Sequence, residues 1–596
     1  MRGSRAWLSA LAIAALAVVP LITSGTYYAY LGVIVFIYSI VAIGLNIVAG
    51  YAGQFSLGHA ALMAMGAYTT ALLTKSLAAI PFFAGTGLHI WLGVACGTVV
   101  AALSGVVLAV PALRVRGPYL AMVTIAFGWV IWKILQEWVS VTGGDLGISS
   151  VPKPQIGLLR LDTREFYYIV LASFVACLVL QQRLIVSQFG LRIRAVKHSE
   201  IALASVGIDV YRLKVIVFVI SAAFAGFGGA LFAHQQNYIN PDNFQFFSSV
   251  FFLLAVLFGG AGTMLGPVVG ATVLTLLPEM LHDFDKYRLI VYACLVLLTL
   301  YYLPNGVMGL VTSSHKSRAP GHEQPELLND GAVTTLPVTT GASLRVEHVS
   351  RSFGGLAALS NVSFRIEPGS IHALIGPNGA GKTTLINIIS GTYRANSGRI
   401  IVDGIDAGIS SMHEAARQGI VRTFQTLKLF GDMTVVEHVL IGLARHSRVG
   451  GWHAAIKSLR TRGEPARRLA EARNLLRVLG IAHLENTPAN ALAYGHRRLV
   501  EIARALAVRP RILLLDEPAA GLVGEEIRAL AVVIRKLRET GMTILLVEHH
   551  MELVLNVSDR ITVLDHGAVI ADGLPSDIRR DQRVIAAYLG PSHAAA

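Results

Sequence analysis

The stretch "SIHALIGPNGAGKTTLINIISG", Ser370 to Gly391, decides the fold of half the chain. It opens on an apolar run of strand length, passes through a glycine-rich turn and continues as an amphipathic helix. That order is the context in which a G-x-x-x-x-G-K-[ST] pattern holds phosphate. Backbone N–H groups from Gly379 to Thr383 can wrap a β-phosphate at the positive end of the helix. Lys382 is placed to neutralise β- and γ-phosphates, and the Thr383 hydroxyl to bind Mg²⁺. The expected cradle is Gly376, Pro377, Asn378, Gly379, Ala380, Gly381, Lys382, Thr383 and Thr384, with ATP and Mg²⁺ as cofactors.

Downstream, "RILLLDEP" (Arg511 to Pro518) is a hydrophobic strand ending in two carboxylates. Alone, such a pair is an ordinary solvated turn. Paired with the phosphate loop upstream, Asp516 suits Mg²⁺ and Glu517 suits activation of an attacking water.

Upstream, the chain changes character. Of 596 residues, 54% are hydrophobic and only 14% charged, and the apolar content is concentrated before about residue 310. Long, predominantly apolar stretches run Trp7–Thr23, Tyr27–Ala49, Trp91–Leu113, Tyr119–Val139, Phe166–Leu184, Val215–Phe232 and Leu289–Leu303. Most approach or exceed the roughly 17–20 residues that cross hydrocarbon as a helix. The fold class is therefore a multi-span α-helical membrane domain followed by an α/β P-loop domain. The net charge of +14 does not point to nucleic acid. Arg2, Arg5, Arg114, Arg116, Arg183, Arg192, Arg194 and Lys197 flank the apolar stretches, the bias that marks cytoplasmic loops. No basic stripe with interleaved aromatics occurs. Cys96, Cys177 and Cys294 fall inside expected spans and read as small apolar packing residues. The first 25 residues resemble a signal peptide, but a second span follows at once and favours an uncleaved helix.

Counting crossings from a cytoplasmic N-terminus puts residues 141–165 outside and the basic segment 181–214 inside. The stretch "SSVFFLLAVLFGGAGTMLGPVVGATVLTLLP" is too long for one crossing and is broken by glycines. It reads as two short spans or a re-entrant pair, which is tolerated only where protein or a cavity covers the backbone. About eight to ten spans are expected in all. Residues 312–342 are rich in Ser, Thr, Pro and Gly and read as a flexible linker. The expected division is 1–311 membrane domain, 312–342 linker, 343–590 nucleotide domain and 591–596 tail.

Residues 343–590 resemble the ATPase domain of ABC transporters, beyond the loop and the acidic strand already quoted. The resemblance implies adenine stacking for Phe353 in "VSRSFGG". It implies a Mg²⁺-reaching and coupling role for Gln425 in "VRTFQTLKLF". It assigns contact with a partner's γ-phosphate to Gly495 in "LAYGHRRLVEIARAL" and the switch histidine to His549 in "LLVEHH". Glu517, His549 and Gln425 are thus the expected catalytic set, and Thr383, Gln425 and Asp516 the metal set. Three positions depart from the family pattern: Ala493 replaces the usual serine, His496 a glutamine, and Val523 an aspartate.

Residues 1–310 resemble permease subunits of the bacterial branched-chain amino acid uptake family. The resemblance is carried by "GLNIVAGYAGQFSLGHAALMAMGAY", "LRVRGPYLAMVTIAFG", "TGGDLGIS", "FGGAGTMLGPVVGA" and "PNGVMGL". In the ATPase half, "DEPAAGL", "VEHHMELV" and "VIAAYLG" point to the same family. The resemblance implies ATP-driven import of branched-chain or other hydrophobic amino acids across the bacterial inner membrane, with the ATPase cytoplasmic. It implies as partners a second permease and a second ATPase (or a second copy), and an extracytoplasmic solute-binding protein. The segment "SQFGLRIRAVKHSEIALASVGIDVYRLK" resembles the loop that importers lay against their ATPase, with a solvated basic face as the alternative. Urea, amides or aromatic acids are the alternative solutes. An exporter-type half-transporter and a tethered regulatory ATPase are the alternative classes.

Overall fold

The computed structural model describes residues 14–18, 20–21, 26–115, 117–156, 159–280, 287–303, 305–313, 340–446 and 463–589. Most of the expected first span, most of the linker and the C-terminal tail lie outside the described residues. The chain forms two compact units, with residues 198–210 grouping with the second rather than with the membrane helices that flank them in sequence.

The first unit is helical: α1 (Thr26–Leu45), α2 (His59–Ala78), α3 (Leu88–Ala112), α4 (Pro118–Glu137), α5 (Thr163–Val186), α6 (Gln188–His198), α8 (Val210–Gln236), α9 (Phe246–Gly259), α10 (Gly266–Met280) and α11 (Arg288–Tyr302). Among the described residues, six helical segments are long and apolar enough to cross a membrane. Small residues let the helices approach closely, as expected where lipid leaves little hydrophobic force between them. A Cβ on Gly66 would run into the Gly226 backbone, and one on Gly229 into the Met63 carbonyl. The long glycine-broken stretch is a pair of short helices, α9 and α10, joined by the turn at 260–265.

The helix that begins as α1 does not run straight into α2. It widens into a π turn, Asn46–Tyr51, and is followed by non-helical residues 52–58. The freed polar groups are partly met by neighbours. Asn46 accepts from Gly262 N–H (2.8 Å) and donates to Thr263 O (2.9 Å), and Lys197 Nζ donates to Gly50 O (3.2 Å). π turns of this kind often mark functional sites.

In the second unit, an antiparallel sheet of β1 (Leu344–Phe353), β2 (Leu356–Ile366), β4 (Ser397–Val402) and β5 (Ile405–Asp406) has the order β2-β1-β4-β5. The larger sheet holds β3 (Ile371–Ile375), β6 (Ile420–Arg422), β7 (Ile512–Asp516), β8 (Thr543–Val547), β9 (Arg560–Asp565) and β10 (Ala568–Gly573). Its order is β10-β9-β3-β8-β7-β6, parallel except for the β9–β10 pair. "IHALI", "ILLLD" and "TILLV" are buried at every position, the continuous apolar pattern of strands covered on both faces. α12 (Lys382–Ile389) follows β3, α15 (Tyr494–Ala507) precedes β7, and α16 (Gly524–Glu539) links β7 to β8. Within this unit α7 (Glu200–Ser205), capped by the Ser199 hydroxyl on Ala202 N–H (3.2 Å), packs against α13 (Met412–Arg417).

Candidate nucleotide-binding and hydrolysis site

Ligands of open parallel sheets bind beyond the carboxyl ends of the strands. Here four adjacent strands deliver chemistry to that edge: β3 leads into the phosphate loop, β6 into Gln425, β7 into Asp516 and Glu517, and β8 into His549. The register pairs Val547 with both Leu374 and Asp516, so these strand ends lie level.

The loop needs its glycines. Gly379 and Gly381 have φ of +84° and +99°, where side chains other than glycine are strained, and Gly381 caps α12. Asn378, Gly379 and Thr383 are exposed along the crest, whereas Lys382 is buried beneath it. Lys382 Nζ donates to Gly376 O (2.6 Å) and Pro377 O (2.9 Å). Burial lowers the pKa of its ammonium, and the Glu517 and Asp516 carboxylates oppose that shift.

Gln425, Glu517 and His549 come together. Gln425 Nε2 donates to Glu517 Oε2 (2.8 Å), and His549 Nδ1 stands 3.9 Å from the same oxygen. Glu517 has φ +43°, a left-handed conformation uncommon outside glycine and typical of residues held for function. Its N–H donates to Val547 O (2.8 Å), which ties the carboxylate's backbone to the neighbouring strand. Asp516 is buried, and Arg422 Nη2 binds its Oδ2 (2.6 Å), leaving Oδ1 for a further ligand. Asp516, the Thr383 hydroxyl and the Gln425 amide oxygen are hard oxygen donors of the kind Mg²⁺ takes alongside water and phosphate. They fit that ion.

Phe353 and Gly495 stand elsewhere. The Phe353 ring is 40% exposed, packs edge-on to Tyr393 at 5.4 Å and lies under the Arg351 guanidinium at 4.8 Å. That leaves a flat apolar surface of the right kind for a base. Gly495 is in the first turn of α15, and its Cβ position faces the Glu526 carboxylate. Of the three departures, Ala493 is the N-cap of α15 and supplies no side-chain cap. His496 has its Nε2 buried without a partner. Val523 is exposed, and its N–H donates to Glu526 Oε2 (3.1 Å).

Several buried charged groups beside the site escaped the sequence reading. Arg498, in α15, is almost wholly buried and donates to Phe424 O (2.7 Å), Gln425 O (3.3 Å) and Glu517 O (3.1 Å). Glu501 lies between Arg498 (3.0 Å) and Arg504 (3.6 Å) and accepts from Phe424 N–H (3.3 Å). One guanidinium thus holds the backbone of both Gln425 and Glu517. The available signal was three charges spaced by three on one helix, a pattern that usually means a solvated stripe. Glu548, also buried, accepts from Ala519 N–H (2.6 Å) and from His549 N–H (3.0 Å).

A glycine-capped phosphate loop, a buried aspartate, a strand-end glutamate and a histidine on one sheet edge define an ABC-type ATPase, here joined to a multi-span helical domain. The family model for the permease component of branched-chain amino acid transport systems matches residues 27–300. The ABC transporter model matches 359–520, and that of branched-chain amino acid ATP-binding cassette transporters matches 568–590. The branched-chain amino acid transport ATP-binding protein BraF of Pseudomonas aeruginosa is 42% identical over 248 residues, covering 41% of this chain and 97% of its own. LivG of Escherichia coli K12, described in the same words, is 41% identical over 248 residues, with the same coverage. The permease protein LivM of Salmonella typhimurium is 33% identical over 307 residues, covering 48% of this chain and 70% of its own. The chain belongs to the branched-chain amino acid ABC transporter family, with a permease-type and an ATP-binding component in one polypeptide. It is a multi-pass membrane protein whose C-terminal domain is an ATP-binding ABC ATPase.

Proposed function

We propose that this chain imports branched-chain or other hydrophobic amino acids across the bacterial inner membrane at the expense of cytoplasmic ATP. The observation that carries the reading is that both halves independently match components of one transport system. ATP is held by the 376–384 loop. Lys382 exchanges its loop carbonyls for β- and γ-phosphate oxygens, and Phe353 receives the adenine. Mg²⁺, when bound by Thr383, Asp516 and Gln425, supplies positive charge to the phosphates. Glu517 orients and polarises the attacking water, and His549 holds the γ-phosphate side of the site. Gly495 completes a site on an opposing ATPase, so hydrolysis requires two such domains.

Residues 198–210 transmit the cycle. They are continuous in sequence with α6 and α8, and they pack as part of the ATPase unit against α13. A second permease, a second ATPase and an extracytoplasmic binding protein complete the assembly. Uptake into sealed vesicles carrying this full set, with and without ATP, tests the reading; no ATP-dependent accumulation of any amino acid would refute it.

A further inference from the structure

β7 and β8 run side by side with Asp516 paired to Val547, so the next residues, Glu517 and Glu548, leave adjacent strand ends. Two hydrogen bonds staple the chain beyond them. Glu517 N–H donates to Val547 O (2.8 Å), and Ala519 N–H donates to Glu548 Oε1 (2.6 Å). The other oxygen of the same carboxylate turns back on its own segment. Glu548 Oε2 accepts from His549 N–H (3.0 Å) and from His550 N–H (3.3 Å). One side chain therefore holds the loop after Glu517 with one oxygen and the backbone of the two histidines with the other.

Burying a carboxylate is costly unless its charge is met. Glu548 is 1% exposed, and its charge is met by those three N–H groups. Hydrogen bonds to an ionised acceptor are shorter and stronger than neutral ones, so they hold geometry more tightly. His549 Nδ1 stands 3.8 Å from Glu548 Oε2 and 3.9 Å from Glu517 Oε2, about equally far from both carboxylates. On its other side Glu548 reaches a loop that touches α15. Ala519 is fully buried, its carbonyl accepts from Leu522 N–H (3.0 Å), and a Cβ on Gly521 would stand 3.0 Å from the Tyr494 ring.

We propose that Glu548 is a positioning residue for ATP hydrolysis. It ties the loop 518–522 and the strand end at His549 into one body, and so sets how the His549 ring stands relative to the Glu517 carboxylate. Enclosed in the interior, it acts through His549 and not on the nucleotide. The proposal rests on the hydrolytic roles proposed above for Glu517 and His549.

The test is single-turnover ATP hydrolysis by the complete transporter, which keeps slow variants readable. Nucleotide affinity and melting temperature are measured on the same preparations. Glu548→Gln keeps the shape but turns one acceptor oxygen into an NH2 group, so either Ala519 N–H or the histidine backbone faces a donor. The hydrolysis rate is expected to fall about 100-fold, the scale of a misplaced catalytic group, with ATP affinity unchanged. A double-mutant cycle with His549→Ala separates positioning from packing. Once the histidine is gone, Glu548→Gln is expected to cost less than about twofold more. Glu548→Asp keeps the charge near His549 but is one methylene too short for Ala519. It is expected to slow hydrolysis in the same way, and it carries the cycle if the glutamine variant melts early. A wild-type rate in Glu548→Gln, with His549→Ala slowed, overturns the proposal alone. Losses that multiply in the double variant also overturn it, since Glu548 would then serve packing and not the histidine. A wild-type rate in His549→Ala removes the role of the histidine first, and this proposal with it.

Discussion

Gln425 and Glu517, 92 positions apart in the chain, are joined side chain to side chain at 2.8 Å. Arg498 holds both of their backbone carbonyls. The residue proposed to sense the permease and the residue proposed to activate water therefore share one support.

Glu517→Gln should nearly abolish ATP hydrolysis while leaving ATP binding intact, because the amide cannot polarise water as the carboxylate does. Lys382→Ala should instead weaken nucleotide binding by removing a phosphate counter-charge. Turnover and nucleotide affinity measured on the complete complex separate the two effects. Near-normal turnover of the glutamine variant would remove Glu517 from the catalytic role.

Arg498→Met should destabilise the nucleotide-binding unit by about 3–5 kcal/mol, since it leaves the buried Glu501 with one cationic partner, Arg504, at 3.6 Å. Arg498→Lys should recover little, because an ammonium cannot span the carbonyls that the planar guanidinium reaches together. Thermal melts of the full-length protein check both. A wild-type melting temperature for either variant would show that the trio of charges is dispensable.

The nucleotide-binding unit should lose stability on mild acidification. His438 takes the backbone N–H of Phe430 on Nε2 (2.9 Å) and donates from Nδ1 to Thr434 O (2.8 Å), so it is neutral when folded. Burial pushes its pKa from 6.5 down to about 3, and that of His372 down to about 4. The unfolded chain binds more protons between those values and 6.5. Stability is therefore full above pH 6.5 and declines as pH falls toward 4, by at most about 1.4 kcal/mol per pH unit for each histidine. Hydrogen exchange of the segments around both residues, compared at pH 7 and pH 5, reads the effect. Equal protection at both values would contradict it.

Coupling should depend on α7. Ala202 is fully buried, and α7 packs against α13. Ala202→Trp should preserve basal ATP binding and hydrolysis while abolishing solute-stimulated hydrolysis and uptake, because coupling is free energy shared through a physical contact. Reversing the charges of Arg192, Arg194 and Lys197 tests the preceding helix, α6, which groups with the membrane unit. If uptake survives in both variants, the segment is not the transmitter.

The phosphate loop and the acidic strand end were legible because their chemistry fits into a few contiguous residues: Lys382 and Thr383 mean little without Gly379 and Gly381 at fixed offsets. The roles proposed for Phe353, Gln425, Gly495 and His549 rest on resemblance alone, since each is an ordinary residue when read alone. Arg422 and Arg498 were not legible at all. Arg422 pairs with Asp516 across 94 positions, and a buried arginine looks in sequence like any surface one. The membrane half announced its apolar stretches but hid the π turn at Asn46, because widening a helix by one residue leaves hydropathy unchanged. It likewise hid a cavity lined by Leu57, Trp129, Trp132, Phe244 and Ser249, whose walls come from the break before α2, from α4 and from around the start of α9.

The most direct test of the account is the uptake of labelled leucine by vesicles carrying the chain, its partner subunits and the binding protein. The account predicts ATP-dependent accumulation, competed by isoleucine and valine and abolished by Glu517→Gln. Failure of all three amino acids to enter or compete, while urea or an aromatic acid accumulates in the same vesicles, would contradict it.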